Sequence, residues 1–393
     1  MRYPAAAVIN LDHNATTPLS PAVRAAMVEL LQRGDLGNPS STHQRGRACR
    51  EIVEAARRRV AAAVDAVPLG VTFVSGGTEA DNLALLGGSA ALQRAGKPHG
   101  VATTRIEHPA VVAAAEALAA QGVPVTWIPV ESDGMVAPET VAEVVRNHPE
   151  VGLISVAVAN HELGNVQPIA DIVAVVRAAR DGVLVHTDAV QAFGKIPVRF
   201  GAWGVDMLSL SAHKIHGPTG IGALVHPTHL QIQPRTFGGA QERGRRVGTE
   251  NWMGAHGFGV AATQIEDGLA RMEALVPLRE RLVEVVRGLG GRVQGRPALA
   301  NTLNFAFDDA PGELMVMNLD LEGIAVSTGS ACSAGSLEPS KVLLGLGLPP
   351  ERAAEAVRVS MGRDTTEADL AALMDVLPTI VQRVRKAHGR AAS

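Results

Sequence analysis

The chain has 393 residues, which at roughly 150 residues per domain is enough for two domains. Its net charge is −3, and no basic stretch is long enough to indicate nucleic-acid binding. Two cysteines, Cys49 and Cys332, are too few for a disulfide framework and indicate a reducing compartment. No apolar run reaches the ~18 residues that span a bilayer, and no signal-peptide core is visible, so the sequence predicts a cytoplasmic protein.

Apolar segments alternate with alanine-rich segments over the first two thirds of the chain. The predicted strands cover residues 71–74, 123–130, 151–159, 183–187 and 207–211, and the predicted helices between them cover 110–120, 138–146 and 170–180. Such alternation is typical of a mostly parallel sheet covered by helices on both faces. Residues 221–225 are consistent with one more strand, but five residues leave the question open.

The pattern changes towards the C-terminus. A long helical stretch over about residues 252–289 precedes short predicted strands at 292–295, 303–307 and 357–361, with helices at 312–319 and 367–388. From about residue 265 onward we therefore expect a second, smaller α+β domain.

Ligands of open α/β sheets bind beyond the carboxyl ends of the strands, so residues that follow strands are candidates for a site. The turn at Ser75, Gly76 and Gly77 leads into a helix predicted from Thr78. Glycines allow close approach of a ligand and the first helical N–H groups are free, which suits a phosphate. The alternative is a strand-to-helix turn that Thr78 merely caps.

Three more side chains follow predicted strands. Asp188 could keep a heterocyclic nitrogen protonated, although an isolated Asp is more often a helix cap. Lys214 could form a Schiff base with an aldehyde, whereas most lysines lie at the surface. His108 could stack on an aromatic ring or move protons, but a lone histidine is more often structural. As a set these residues fit pyridoxal phosphate, which needs a lysine, an acidic partner and a phosphate cradle.

The two cysteines lie in different surroundings. Cys332 is flanked by glycine, serine and alanine, which predicts an exposed, mobile loop on which a thiol can react as the thiolate. The alternative is a small buried hydrophobic residue. Cys49 lies in a helical stretch and is interpreted as structural. No metal site is predicted, because His213 and His216 have no Cys or carboxylate cluster to complete one.

Ten short motifs, spread over nearly the whole chain, carry a resemblance to a known family. They are LDHNATTP (11–18), GNPSS (37–41), SGGTE (75–79), EH (107–108), NHELG (160–164), HTD (186–188), SAHK (211–214), GSAC (329–332), SLEPS (336–340) and RVS (358–360). With them the chain resembles the group I cysteine desulfurases of the nitrogen-fixation and iron–sulfur-assembly type, within the class V aminotransferases. The resemblance implies the α/β fold type I of PLP-dependent transferases, with a large domain over 15–264 and a small domain formed by 1–14 and 265–393.

The resemblance also implies site residues. Lys214, Cys332 and His108 would be catalytic, and Asn38 and Arg358 would bind the substrate carboxylate. Pyridoxal 5′-phosphate would be held by Gly77, Thr78, His108, Asn160, Asp188, Gln191, Ser211, His213, Lys214 and Thr249. Within that set Asp188 would pair with the ring nitrogen, and Asn160 and Gln191 with the phenolic oxygen. Thr249 looks like a phosphate ligand donated by a second subunit, which implies a homodimer.

The implied reaction converts L-cysteine to L-alanine. Lys214 would remove the α-proton, and the Cys332 thiolate would attack the substrate sulfur and retain it as a persulfide. The sulfur would pass to an acceptor protein, either an iron–sulfur scaffold or a tRNA-thiolation relay, and Cys332 could serve as a transient iron–sulfur ligand. No direct nucleic-acid or membrane partner is expected.

One departure from the family pattern is His161, where relatives often have Asn, and it leaves the choice of acceptor open. The alternative function is a selenocysteine lyase or another class V PLP enzyme, of which a transaminase would not need Cys332. A non-catalytic relative that only binds partners would be expected to lack Lys214, Asp188 or Cys332, and all three are present.

Overall fold

The computed structural model describes residues 8–329 and 338–391. Within these ranges the strands are β1 (Ile9–Asn10), β2 (Val71–Val74), β3 (Gly100–Thr103), β4 (Val125–Trp127), β5 (Val151–Ser155), β6 (Leu184–Asp188), β7 (Met207–Ser211), β8 (Gly222–Val225), β9 (Arg292–Val293), β10 (Thr302–Ala306), β11 (Ile324–Ala325) and β12 (Ala356–Ser360).

The helices of the same ranges are α1 (Pro21–Gln32), α2 (Gln44–Ala62), α3 (Gly77–Asn82), α4 (Gly88–Arg94), α5 (Pro109–Ala120), α6 (Pro138–Asn147), α7 (Ile169–Ala179), α8 (Phe200–Trp203), α9 (Trp252–Ala262), α10 (Ile265–Glu273), α11 (Val276–Gly288), α12 (Gly312–Leu321), α13 (Lys341–Gly345), α14 (Pro350–Ala353) and α15 (Glu367–Ala391). A π-helical segment, Leu83–Gly87, joins α3 to α4.

The large sheet has seven strands in the order β2-β8-β7-β6-β5-β3-β4. Five of them, from β7 to β4, run parallel, whereas β8 runs antiparallel to both of its neighbours. Strands β5 and β7 are buried at every position, because helices cover both faces of the sheet and no strand position faces water. Alternating βα units therefore bring the carboxyl ends of β3, β5, β6 and β7 to one edge.

The C-terminal part of the chain has a core of its own. Strands β9, β10 and β12 form an antiparallel sheet, and side chains from it pack with those of α11, α12 and α15. The N-terminal segment joins this core, because β1 pairs in parallel with β11 and Leu11 is buried among the same residues. The N-terminal segment and the C-terminal part of the chain therefore share one core.

Several predicted elements are confirmed with altered bounds. The strand predicted over residues 123–130 is only Val125–Trp127, and residues 221–225 do contain a strand, β8, which is antiparallel. The long helical stretch predicted over 252–289 is three helices, α9, α10 and α11. Cys49 is fully buried in α2, in agreement with its interpretation as structural. Among the described residues, every helix is too short or too polar to cross a membrane.

Candidate active site

A cavity of about 540 Å³ lies where the parallel strands end. Strands β6 and β7 deliver Asp188 and Ser211 to it as their last residues, while His108 follows β3 and Asn160 follows β5. Ten of the residues predicted from sequence line this cavity: Gly77, Thr78, His108, Asn160, Asp188, Gln191, Ser211, His213, Lys214 and Arg358. Side chains from distant parts of the sequence therefore converge on one space.

Three predicted residues are not placed there. Cys332 lies outside the described residues, although Gly329 and Glu338, on either side of it in sequence, both line the cavity. Asn38 and Thr249 are exposed and do not line it. That Thr249 serves the site of a second subunit stays a prediction.

The amine of Lys214 is held by main-chain carbonyl groups of the N-terminal segment. Its Nζ donates to the carbonyl oxygen of Asn14 at 2.5 Å and to that of Ala15 at 2.7 Å. Lys214 follows β7 by three residues, in a short 3-10 turn, so both the strand and the N-terminal segment fix its position. The amine consequently has a defined place in the cavity wall.

Asp188 and His108 both line the cavity, and burial shifts their pKa values in opposite directions. Burial raises the pKa of Asp188, against the influence of His108 and Lys214, while its Oδ1 accepts a hydrogen bond from the Val190 amide at 2.8 Å. Burial lowers the pKa of His108. Its Nδ1 accepts from the Ala110 amide at 3.1 Å, at the start of α5, so the neutral imidazole carries its proton on Nε2. His108 can therefore donate from Nε2 towards a ligand.

Arg358 also lines the cavity and is almost fully buried. Its Nη2 donates to Oδ1 of Asp12 at 2.7 Å, and its Nη1 donates to the carbonyl oxygens of His161 at 3.1 Å and Gly329 at 3.4 Å. Within the described ranges its Nε has no hydrogen-bond partner. A buried guanidinium with an unused N–H is suited to a ligand carboxylate.

The sequence profile of the class V aminotransferases matches residues 9–373 of the chain. The chain belongs to this family. Cysteine desulfurase IscS of Dictyoglomus turgidum is 40% identical over 387 residues, covering 96% of this chain and 95% of that protein. The IscS-like cysteine desulfurase of Mycobacterium tuberculosis is 41% identical over 392 residues, covering 97% and 98%.

Solved structures agree with this membership. A NifS-like protein has a TM-score of 0.88 at 31% identity, covering 96% of this chain and 100% of its own. The structure of SspA in complex with cysteine has a TM-score of 0.78 at 30% identity, covering 91% and 99%. The class V aminotransferase fold of the chain is the fold type I of PLP-dependent enzymes, as the sequence predicts.

Pyridoxal 5′-phosphate is the cofactor of the class V family, and the cavity fits it. The Ser211 hydroxyl is buried and has no hydrogen-bond partner among the described residues. A bound phosphate group would supply that partner. At Gly77 a Cβ atom would come within 2.8 Å of Val190 Cγ2, so a side chain would crowd this end of the cavity. The buried carboxyl of Asp188 and the amine of Lys214 supply the two other groups that the cofactor requires.

Sequence reasoning missed several residues of this class V site. Asp81 lines the cavity, and burial, together with the charge of Asp188, raises its pKa well above the usual range. His161 lies edge-on to His108 with ring centroids 5.3 Å apart, and burial lowers its pKa well below the usual range. Asn14 lies within the motif of residues 11–18, which could have revealed it, whereas Asp81 carried no signal at all.

Proposed function

We propose that the chain is a cysteine desulfurase, which converts L-cysteine to L-alanine and carries the released sulfur as a persulfide on Cys332. The observation that carries this proposal is the convergence of Lys214, Asp188, His108 and Arg358 on one cavity. The chain segment before Cys332 reaches the same cavity through Gly329. Relatives about 40% identical over nearly the whole chain are cysteine desulfurases, which supports the same activity.

Each end of the cavity would take one part of the cofactor or substrate. Gly77, Thr78, Ser211 and His213 would hold the phosphate, with Asn160 and Gln191 at the phenolic oxygen, and Lys214 would provide the covalent attachment. When bound, pyridoxal phosphate supplies an electron sink for reaction at the amino-acid α-carbon. Arg358 would bind the substrate carboxylate, whereas Asn38, which does not line the cavity of its own chain, stays a prediction from the resemblance.

The chain's own groups would then move protons and sulfur. Asp188 would keep a proton on the ring nitrogen, and Lys214 would accept the α-proton of the substrate. The Cys332 thiolate would form a bond to the substrate sulfur while the carbon–sulfur bond breaks. The electron pair of that bond stays with the carbon, which takes up a proton to become the methyl group of alanine. The proton lost from the Cys332 thiol balances this uptake, so no external oxidant or reductant is required.

Homodimerisation belongs to the same proposal, with Thr249 of each subunit serving the partner's phosphate site. The division into a large domain, 15–264, and a small domain, 1–14 with 265–393, is supported by the separate C-terminal core that includes Leu11. We also propose a cytoplasmic location. The sulfur acceptor would be a protein, either an iron–sulfur scaffold or a tRNA-thiolation relay, with Cys332 as the donor.

The two cysteines provide a matched test. In the purified, cofactor-loaded protein with a thiol reductant present, which releases the persulfide sulfur as sulfide, Cys332→Ser should abolish the formation of alanine and sulfide from L-cysteine, because the thiol that accepts the sulfur is absent. Cys49→Ala should retain both, since Cys49 is buried in α2. Alanine release that persists unchanged in Cys332→Ser would contradict the persulfide mechanism. Parallel assays with selenocysteine distinguish a lyase specific for that substrate.

A further inference from the structure

A buried lysine, Lys195, lies beside the cavity and has no part in the proposed chemistry. Only 8% of its surface is exposed. Its Nζ lies 2.7 Å from Oδ1 of Asn14 and 2.5 Å from Oε1 of Gln191. Burying an amine is costly unless its hydrogen bonds are satisfied, so these two contacts account for its position.

Main-chain carbonyl groups determine which way both amides face. The Nδ2 atom of Asn14 donates to the carbonyl oxygen of His161 at 3.2 Å, and Nε2 of Gln191 donates to the carbonyl oxygen of Asn14 at 3.0 Å. A carbonyl oxygen can only accept, so these amide atoms are nitrogens and the oxygens must face Lys195. The lysine is therefore the donor in both contacts.

Burial lowers the pKa of Lys195 well below its usual range, and the charges of Lys214 and Arg358 act in the same direction. This does not weaken the arrangement, because a neutral amine still has two N–H groups for its two acceptors. The network depends on hydrogen-bond donation and not on a positive charge.

The consequence for Gln191 is a defined polarity. Its oxygen is bonded to Lys195 and one N–H to Asn14, so the other N–H is what it can offer to a ligand in the cavity. The carbonyl oxygen of Asn14 also accepts from Lys214, so the same network reaches the catalytic amine. Without Lys195, only the carbonyl oxygen of Asn14 would oppose turning the Gln191 amide over so that it presents its oxygen instead.

We propose that Lys195 is a positioning residue that holds Gln191 as a hydrogen-bond donor to the phenolic oxygen of the cofactor. The inference rests on the proposed function in one respect, that pyridoxal phosphate occupies this cavity with its phenolic oxygen at Gln191. A hydrogen-bond donor there would stabilise the negative charge on that oxygen. The pKa of the Schiff-base nitrogen that Lys214 would contribute would then be lower.

The test uses the full-length, cofactor-loaded protein and two readouts that do not require turnover. Lys195→Met removes both N–H groups, and we expect it to weaken cofactor binding roughly tenfold, the effect of losing one strong hydrogen bond. We also expect the absorbance band at ~420 nm to persist to higher pH, because the phenolic oxygen keeps its charge. Lys97→Met, at an exposed lysine, is the matched control and should change neither readout.

A double-mutant cycle separates positioning from a general effect on folding. In the Gln191→Ala background, Lys195→Met should cause no further loss of cofactor affinity, because the group that it positions is absent. Equal, additive losses in both backgrounds would overturn the inference, as would an unchanged pH titration of the band. A parent protein that takes up no cofactor would instead overturn the proposed function itself.

Discussion

The Nη2 atom of Arg358 lies 2.7 Å from Oδ1 of Asp12, so the guanidinium proposed to bind the substrate carboxylate already holds a carboxylate of the protein. Asp12 comes from the segment after β1 and Arg358 from β12, so the contact also joins the two ends of the chain. Substrate must share or replace this partner when it binds.

We expect Arg358→Lys to raise KM for L-cysteine by about tenfold or more, because an ammonium cannot form the paired hydrogen bonds of a guanidinium. Cofactor affinity should remain at the parent value, since Arg358 is proposed to bind the substrate carboxylate and not the cofactor. Steady-state measurement of alanine release tests this. Arg352→Lys, at an exposed arginine of α14, is the control.

Asp12→Asn provides the converse experiment at the same contact. Removing the charge that competes with the substrate should lower KM, provided that the variant remains folded. An increase in KM would indicate that Asp12 orients Arg358 for the substrate and does not compete with it.

Glu107 should make stability depend on pH. Burial raises its pKa to about 8 and Asp188 adds to this, although hydrogen bonds from Thr104 and the Ala157 amide oppose it. Above the ordinary value of 4.5 the folded chain retains this proton while the unfolded chain releases it, so the free energy of unfolding falls as pH rises towards 8. The stabilisation that this retained proton contributes is fully present below pH 4.5. It is lost once the pH exceeds about 8, the pKa of Glu107 in the folded chain.

Glu107→Gln should therefore flatten this part of the pH dependence. Urea unfolding of the cofactor-free protein, at several pH values between the two pKa values and above them, measures the slope. Glu116→Gln, on the exposed face of α5, should keep the parent slope. An unchanged slope in Glu107→Gln would assign the effect to another buried carboxyl group.

The ion pair between Arg57 and Glu242 should contribute strongly to stability. Both side chains are buried, and the guanidinium meets the carboxylate at 2.7 and 2.8 Å. Glu242→Gln leaves the buried guanidinium with only the partly exposed Glu54 as an ionic partner, so we expect the free energy of unfolding to fall by about 3 kcal/mol. Arg199→Gln, which breaks the exposed pair with Asp65, should have little effect in the same urea titration.

Thr249 tests the proposed dimer. Thr249→Ala should weaken cofactor binding although Thr249 does not line the cavity of its own chain. At limiting cofactor, mixed dimers of Thr249→Ala and Lys214→Ala subunits should be more active than either parent homodimer, because one of their two sites is then intact. Failure of this complementation would place each site within a single chain.

The local pattern of the chain predicted much of the fold. Strands β2 and β7 have their predicted bounds, because each is a short, fully buried segment rich in apolar residues. The direction of β8 could not be predicted, since nothing in five apolar residues specifies the neighbouring strand. Likewise the breaks between α9, α10 and α11 depend on tertiary packing, which periodicity does not report.

The candidate site, like the fold, could be predicted only in part from the sequence. The sequence indicated the chemistry of Lys214, Asp188 and His108 only as a set, because each alone has a commoner structural role but together they fit one cofactor. Asp81 and Lys195 lie within helical or turn segments whose residue types are common, and only the folded arrangement brings them beside the cavity. Hydrogen bonds between residues nearly two hundred positions apart, such as the one from Lys195 to Asn14, leave no local pattern in the sequence.

The parallel pairing of β1 with β11 has a consequence for biosynthesis. Asp12 leaves the ribosome long before its partner Arg358, which follows it by 346 residues. Until Arg358 has been synthesised, the N-terminal segment that supplies the carbonyl acceptors of Lys214 lacks its contacts with the C-terminal part of the chain. A nascent chain could assemble the seven-stranded sheet early, yet it would acquire the complete cavity wall only after Arg358 has been synthesised.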